Sequence, residues 1–457
     1  MLAYCYSTRT LAVGLANRVY LWSEDFGVRY PPDDPDSSVS VYVTSVSFSS
    51  TEGGHSILGI GRSNGQVSLW SLHDPEDIRF TTQHPSAIAC VAFKPLTTRR
   101  PSERFGSTVP TEELLVGDEV GNVYYYSVEW MTRQQIDIHG WNGSMKLLAK
   151  ISVHSQQICG LAWSPKGDYF ATGANDNACC LFEIKDVLSQ PVPLQDIRPL
   201  YKRPLQTLID GIGLSSIVAR AYSRPGVATT TRTHSDTSAQ IPLLPQPIPP
   251  LLQRARITPG QDGSLLIGQG RQKHKWLHSA AIKAIAFCPW QRGLLATGGG
   301  SNDRAIHFYH TFSGATLATI NVHAQVTSLI WSTTRREIAA TFGYAQPEHP
   351  YRIAVFSWPD CRQVVAIPWG HDMRALLAIP YPGGPGEAKT LRTGLGGAWY
   401  SRTAEEGCIV VACSDESVKF HEVWSGASKE TGGHVGLLGG SKILEGLEGI
   451  EGGEVIR

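Results

Sequence analysis

The sequence predicts an all-β protein, a seven-bladed β-propeller, on three observations. A phrase made of a His, a short apolar run, a polar-tipped turn and a strand ending in an aromatic returns at intervals of about 40 to 45 residues, the period of propeller blades. It reads His154-Ser155-Gln156-Gln157-Ile158-Cys159-Gly160-Leu161-Ala162-Trp163, then Ala171 to Asn177 and a strand to Phe182, and it recurs from His278 to Tyr309 and from His323 to Phe356. Strand-favouring aromatics are abundant, with 12 Trp and 16 Tyr, while 46 Gly provide turns.

Short alternating runs bounded by Gly, Asn and Asp mark the strands in order. Leu11 to Leu15 and Arg18 to Trp22 open the ring, and a second unit runs from Val43 to Trp70 with a turn at Ser63-Asn64-Gly65. A third begins near His84 and ends at Tyr124-Tyr125-Tyr126, with a polar insertion around Thr97 to Pro110. The three clear repeats follow, and a seventh unit starts at Gly370-His371 and closes at Val418 to His421 after the Gly/Pro-rich text from Pro382 to Gly397. The propeller is thus expected over residues 1–424. Within it, residues 186–273, rich in Pro and Thr, are expected to form a disordered, mobile loop between the fourth and fifth units. From Ser425 the last 33 residues contain ten Gly and read as a flexible tail.

A His early in a blade and an Asp in its last tight turn can hydrogen-bond across strands and hold register. His154 with Asp176, His278 with Asp303 and His371 with Asp415 have that placement. Because the pair repeats, it is read as scaffold rather than as a catalytic dyad.

Composition narrows the function. Forty basic and forty acidic residues cancel, so neither nucleic acid nor a membrane surface is expected as a partner. Even between Asp196 and Lys275, where eleven Lys/Arg face four Asp/Glu, a solvated loop is the expectation. The nine cysteines are odd in number and form no Cys-x-x-Cys pair, which suits reduced core residues of an intracellular protein. No run approaches the roughly 18 apolar residues of a membrane span. Gly59 to Gly65 misses the dinucleotide spacing and leads into a strand. Ser279-Ala280-Ala281-Ile282-Lys283 lacks the partner motifs of a Ser-x-x-Lys enzyme. No zinc-ligand spacing is found. A non-catalytic binding protein without cofactor or metal is expected.

Several phrases resemble one family. Ala286-Phe287-Cys288-Pro289-Trp290-Gln291, Leu294 to Gly300, Cys159 to Pro165, Gly173 to Asn177, Gly343-Tyr344-Ala345-Gln346 and Asp415-Glu416-Ser417-Val418 are similar to the Fizzy and Fizzy-related WD-repeat co-activators of the anaphase-promoting complex, and the long loop suits a fungal, meiosis-type member. The resemblance covers nearly the whole ring, apart from the loop and the tail.

It implies a substrate receptor for a ubiquitin ligase, found in nucleus and cytoplasm and monomeric outside the ligase. Its partners would be subunits of the anaphase-promoting complex and degron-bearing cell-cycle proteins. Asn175, Asn177 and Arg374 match the family's contacts to a Lys-Glu-Asn motif, with Ser301 at a further polar position. Amides can donate to and accept from an extended peptide, and a guanidinium can fork onto a carboxylate. Glu416 matches a destruction-box glutamate, whereas Tyr4 stands where a second acid is expected. Ile456-Arg457 matches the family's ligase-binding end. The Asp-Arg-aromatic-Ile-Pro box that precedes the propeller in this family is not found, and the expectation is that the first residues are misassembled. A general WD-repeat scaffold of autophagy or trafficking, binding lipid or coat proteins, is the alternative.

Overall fold

A twisted four-stranded sheet buries neither face alone, so consecutive sheets must stack on one another. The computed structural model describes residues 1–23, 25–32, 40–189, 257–260, 263–345, 348–370, 372–382 and 408–424. These form a β-propeller. Its inner strands succeed one another around a closed ring: Leu2–Cys5, Val43–Phe48, Ile88–Phe93, Ile158–Trp163, Ile282–Phe287, Ala324–Trp331 and Ala375–Tyr381, the last packing back on the first. We number the sheets one to seven from these strands.

Six sheets reach the four strands of a full blade. The seventh pairs Ala375–Tyr381, Cys408–Cys413 and Val418–His421 and has three strands among the described residues. The expectation of seven full blades is therefore corrected to six and a three-stranded sheet, because no outer strand pairs with Val418–His421 among the described residues.

Of the loop expected over residues 186–273, the described parts are its two ends, and the second of them carries strands. The insertion leaves from inside sheet four, between Ala178–Glu183 and the outer strand His274–Leu277 that pairs with it. Before rejoining, Leu265–Ile267 adds in parallel to Gly143–Ser152 of sheet three, and Ile257–Pro259 pairs with Leu265–Ile267. Their backbone groups are thus satisfied by the ring rather than by solvent. Residues 190–256 and the tail 425–457 lie outside the described residues. The insertion expected around Thr97 to Pro110 folds as a hairpin, with Thr98–Pro101 pairing with the start of Thr108–Asp118.

Contacts between sheets repeat. At Gly14, Gly61, Gly117, Gly173 and Gly298, a methyl group would come within 2.4–2.9 Å of side-chain atoms of Val43, Ile88, Ile158, Ile282 and Val326 respectively. Each of these partners is a β-branched residue near the start of the next sheet's inner strand. Only glycine leaves the notch that seats it. Indoles at the far end of inner strands add a second tie: Trp163 Nε1 donates to the Ala92 carbonyl at 3.0 Å and Trp331 Nε1 to the Ala286 carbonyl at 3.1 Å. The Trp that ends the phrase's first apolar run thus reaches the preceding sheet.

The His–Asp pairs divide. His154 Nδ1 lies 3.0 Å from Asp176 Oδ1, and its Nε2 is 2.7 Å from Thr172 Oγ1. His278 instead stands 3.6 Å from Asp303 Oδ2, beyond hydrogen-bond length. His371 lies outside the described residues. All nine cysteines are free, and among the described residues no helix is long and apolar enough to cross a membrane.

A buried carboxylate pair in sheet three had no signal in the sequence reading. Glu113 is wholly buried and accepts from Lys94 Nζ at 2.9 Å, Tyr125 Oη at 2.7 Å and the Arg100 guanidinium. Burial alone would raise its pKa, but Arg100 and Lys94 outweigh it and hold the carboxyl below its ordinary range. Its neighbour Glu112 accepts from the Ser50 amide and hydroxyl at 3.2 and 2.9 Å. With no cation to compensate, burial pushes Glu112 up to about 7.

Two outcomes follow from this packing. Gly173→Ala should cost about 1–3 kcal/mol of unfolding free energy by forcing sheets four and five apart. Gly268→Ala, where nothing lies within 4 Å, should stay within about 0.5 kcal/mol; equal losses in urea titrations would refute the notch. Because the folded pKa of Glu112 lies above its ordinary 4.5, its contribution to stability is full below that value and lost as pH rises through about 7. Glu112→Gln should therefore remove up to about 3 kcal/mol of the stability lost between pH 5 and 8, read by urea midpoints at both pH values.

Candidate functional site

Every turn between a sheet's second and third strands lies at the same end of the ring as the segment entering its inner strand, because first and second strands run antiparallel. One backbone bond marks this end in four sheets. Ser63 N–H donates to the Tyr42 carbonyl at 2.9 Å, Glu119 to Ala87 at 3.1 Å, Asn175 to Gln157 at 2.9 Å and Ser414 to Arg374 at 3.0 Å. The two residues after the donor complete the turn, and the second of them has positive φ: Gly65 (88°), Gly121 (101°), Asn177 (63°) and Glu416 (65°). Asn177 and Glu416 are therefore the same position in sheets four and seven, and Gln157 and Arg374 are equivalent in the same way.

This repeat separates what the backbone needs from what it does not. Asn tolerates the left-handed region and shapes its turn at little cost, so its residue type has a local reason. Glutamate has no such tolerance, and holding one at φ 65° costs of the order of 1–3 kcal/mol. Asn175 has extended company: its Nδ2 donates to Gln157 Oε1 at 3.2 Å, and its Oδ1 accepts from Cys159 Sγ at 3.0 Å. These polar groups line the rim of sheet four, with Asn175 exposed and Asn177 half-buried.

On sheet seven the rim is differently equipped. Arg374 is exposed, its amide donating to Ser414 Oγ at 3.0 Å, and its guanidinium has no partner among the described residues. Glu416 is exposed beside it in the chain's next turn. Ser301 is exposed in the corresponding turn of sheet five, where Asp303 and Arg304 donate their amides to the Gly300 carbonyl at 3.1 and 2.9 Å. Asn175, Asn177, Ser301, Arg374 and Glu416 thus share one face of the ring on three sheets.

Tyr4 is not on that face. It sits half-buried in the inner strand of sheet one, with its ring 4.9 Å from that of Tyr381. Tyr381 pairs with Cys408 at the opposite end of sheet seven from the Arg374–Ser414 bond. Six strand residues separate the two ends, about 20 Å at strand rise. Glu416 and Tyr4 are not brought together. Ile456 and Arg457 lie outside the described residues.

The structure adds rim groups that the sequence reading passed over. Lys283, exposed on the inner strand of sheet five, reaches sheet seven, where its Nζ donates to the Leu376 carbonyl at 3.2 Å. The Cys159 thiol is pushed up by burial, with Lys283 partly opposing. Gln157 and Ser414 are placed by the turn bond itself. The signal for Gln157 and Ser414 was positional: each occupies a slot fixed by the repeat, opposite a residue already singled out.

Comparison with known proteins agrees with this ring. Residues 145–183 match the WD domain, G-beta repeat. "Meiotic fizzy-related protein 2" of Schizosaccharomyces pombe is 30% identical over 96% of this chain and 64% of its own length. "Meiosis-specific APC/C activator protein AMA1" of Saccharomyces cerevisiae is 26% identical over 99% of this chain and 60% of its own. The chain therefore spans about three fifths of the length of these relatives. A chain of the "Crystal Structure of Mitotic Checkpoint Complex" has the same fold, with a TM-score of 0.56 at 23% identity, covering 93% of this chain and 90% of that one. The resembling phrases lie on the inner strands and rim turns described above, and the chain is similar along nearly its whole length to Fizzy-related WD-repeat proteins.

Proposed function

We propose that this protein is a non-catalytic, substrate-recognition co-activator of the anaphase-promoting complex, of the meiotic type suggested by the names of its relatives. The observation that carries the reading is Arg374: an exposed guanidinium without a partner among the described residues, on the face that also displays Asn175, Asn177 and Ser301. A Lys-Glu-Asn segment would lay its Glu carboxylate against Arg374. The amides of Asn175 and Asn177 would meet its Asn side chain and backbone, with Ser301 at the edge. Glu416 is the acidic group for the Arg of a destruction box. Tyr4, packed on Tyr381 at the other end of sheet seven, takes no part, so that Arg would rest on one carboxylate. Ile456-Arg457 would dock on the ligase by an apolar side chain and a guanidinium. The protein would act in the nucleus and cytoplasm, monomeric until it joins the ligase.

Fluorescence polarisation with a labelled Lys-Glu-Asn peptide should give an affinity of micromolar order. Arg374→Ala should weaken it about tenfold or more, since hydrogen bonds to charged groups contribute about 1.5–3 kcal/mol. Equal binding by both proteins would overturn the rim assignment. Removing Ile456 and Arg457 should leave peptide affinity unchanged while lowering co-purification with the anaphase-promoting complex severalfold; undiminished recovery would remove the tail from the mechanism.

A further inference from the structure

Sheets four and five carry the same His–Thr–Asp scaffold but finish it differently. In sheet four, His154 Nδ1 bonds Asp176 directly at 3.0–3.1 Å, and the residue four after the Asp is Cys180. In sheet five the residue four after Asp303 is His307, whose Nε2 takes Asp303 Oδ2 at 2.8 Å. His278 is left with a fully buried side chain, 3.6 Å from the same oxygen, and its Nδ1 has no hydrogen-bond partner. A buried, unsatisfied imidazole nitrogen facing a carboxylate calls for a third party.

We propose that His278 Nδ1, Asp303 Oδ2 and His307 Nε2 form a binding site for a divalent zinc ion. The three atoms lie within 4.8 Å of one another, and two imidazoles with one carboxylate are a donor set suited to zinc. The outer contacts fit as well. His278 Nε2 lies 3.2 Å from Thr297 Oγ1 and 3.3 Å from the Tyr309 hydroxyl, and His307 Nδ1 is 3.2 Å from Thr319 Oγ1. When each far nitrogen donates its proton to a hydroxyl, both near nitrogens present lone pairs to the same point, the arrangement that orients metal-bound histidines. Asp303 Oδ1 is already occupied by the Ser279 amide at 3.2 Å, which leaves Oδ2 for the two imidazoles.

Donors about 2.0–2.2 Å from a tetrahedral zinc lie about 3.3–3.6 Å apart. The His278–Asp303 spacing has that value already, whereas the His307–Asp303 contact must open by roughly half an ångström as the ion replaces the shared proton. A water would fill the fourth position. Zinc here would clamp the turn that carries Ser301 and Arg304 to the inner face of its sheet, a rigidity distinct from peptide binding at Arg374.

The test is titration of the full chain with Co²⁺, then Zn²⁺. The expected result is one ion per chain, with visible d–d bands of a four-coordinate nitrogen/oxygen site that zinc displaces, and a rise in Tm on zinc binding. His307→Gln, at a partly exposed position, should abolish the bands. Thr319→Val should weaken affinity about 10- to 100-fold while leaving all three ligands in place. Absence of stoichiometric binding, thiolate charge-transfer bands, or unchanged affinity in both variants would overturn the site.

Discussion

Closure depends on how closely one sheet can lie against the next. A glycine on the second strand of sheets one to five, at Gly14, Gly61, Gly117, Gly173 and Gly298, opens the space in which a β-branched side chain of the following inner strand sits. Sheet six has Thr341 at the equivalent register, and there the next sheet opens with Ala375, both buried. The volume is exchanged between partners and the spacing is kept. The last joint is apolar, made by Leu2, Leu11, Tyr381, Cys408 and Val410, with Tyr4 and Trp22 packed against the rings of Tyr381 and Phe420. Because sheets one and seven close the ring through these contacts, any slip in sheet spacing accumulates around the ring and is felt at this seam.

This spacing also sets the rim. The backbone bond that ties each turn to its inner strand fixes where the turn's side chains stand, and the repeat makes those places equivalent. Residues with a local reason for their identity, such as Gly65, Gly121 and Asn177 at positive φ, belong to the scaffold first. Glu416 at the same φ, and Arg374 exposed where sheet four has Gln157, have no such local reason. The proposed recognition surface is centred on those departures. Sheet five departs in its interior, where His307 draws Asp303 away from His278.

Sheet three shows the same logic with charge. Glu113 is stable as a buried anion because Lys94, Arg100 and Tyr125 converge on it, and Arg100 arrives on the extra hairpin that the polar insertion forms. Glu112, one residue away on the opposite face, has hydroxyl and amide company only. Adjacent residues of one strand are thus shifted in opposite directions, because alternation puts only Glu113 on the face that Lys94 and Arg100 reach.

Periodicity alone determined the all-β class, the strand order and the inner strands. A phrase such as His154 to Trp163 carries its own turn, face and register, which are local properties. Asn175, Asn177 and Arg374 were singled out by the family resemblance, and the repeat of the turn bond shows that they stand at one end of the ring. Periodicity could not separate six full blades from a seventh, three-stranded sheet, since an outer strand is defined by its partner. Nor could it find Leu265–Ile267, whose pairing with sheet three is made across more than 100 residues. The convergence of Glu113 with its cations, the distance between Tyr4 and Glu416, and the meeting of His278, Asp303 and His307 were decided by tertiary structure. Each depends on where separate strands lie in space, and spacing along the chain carries no record of that.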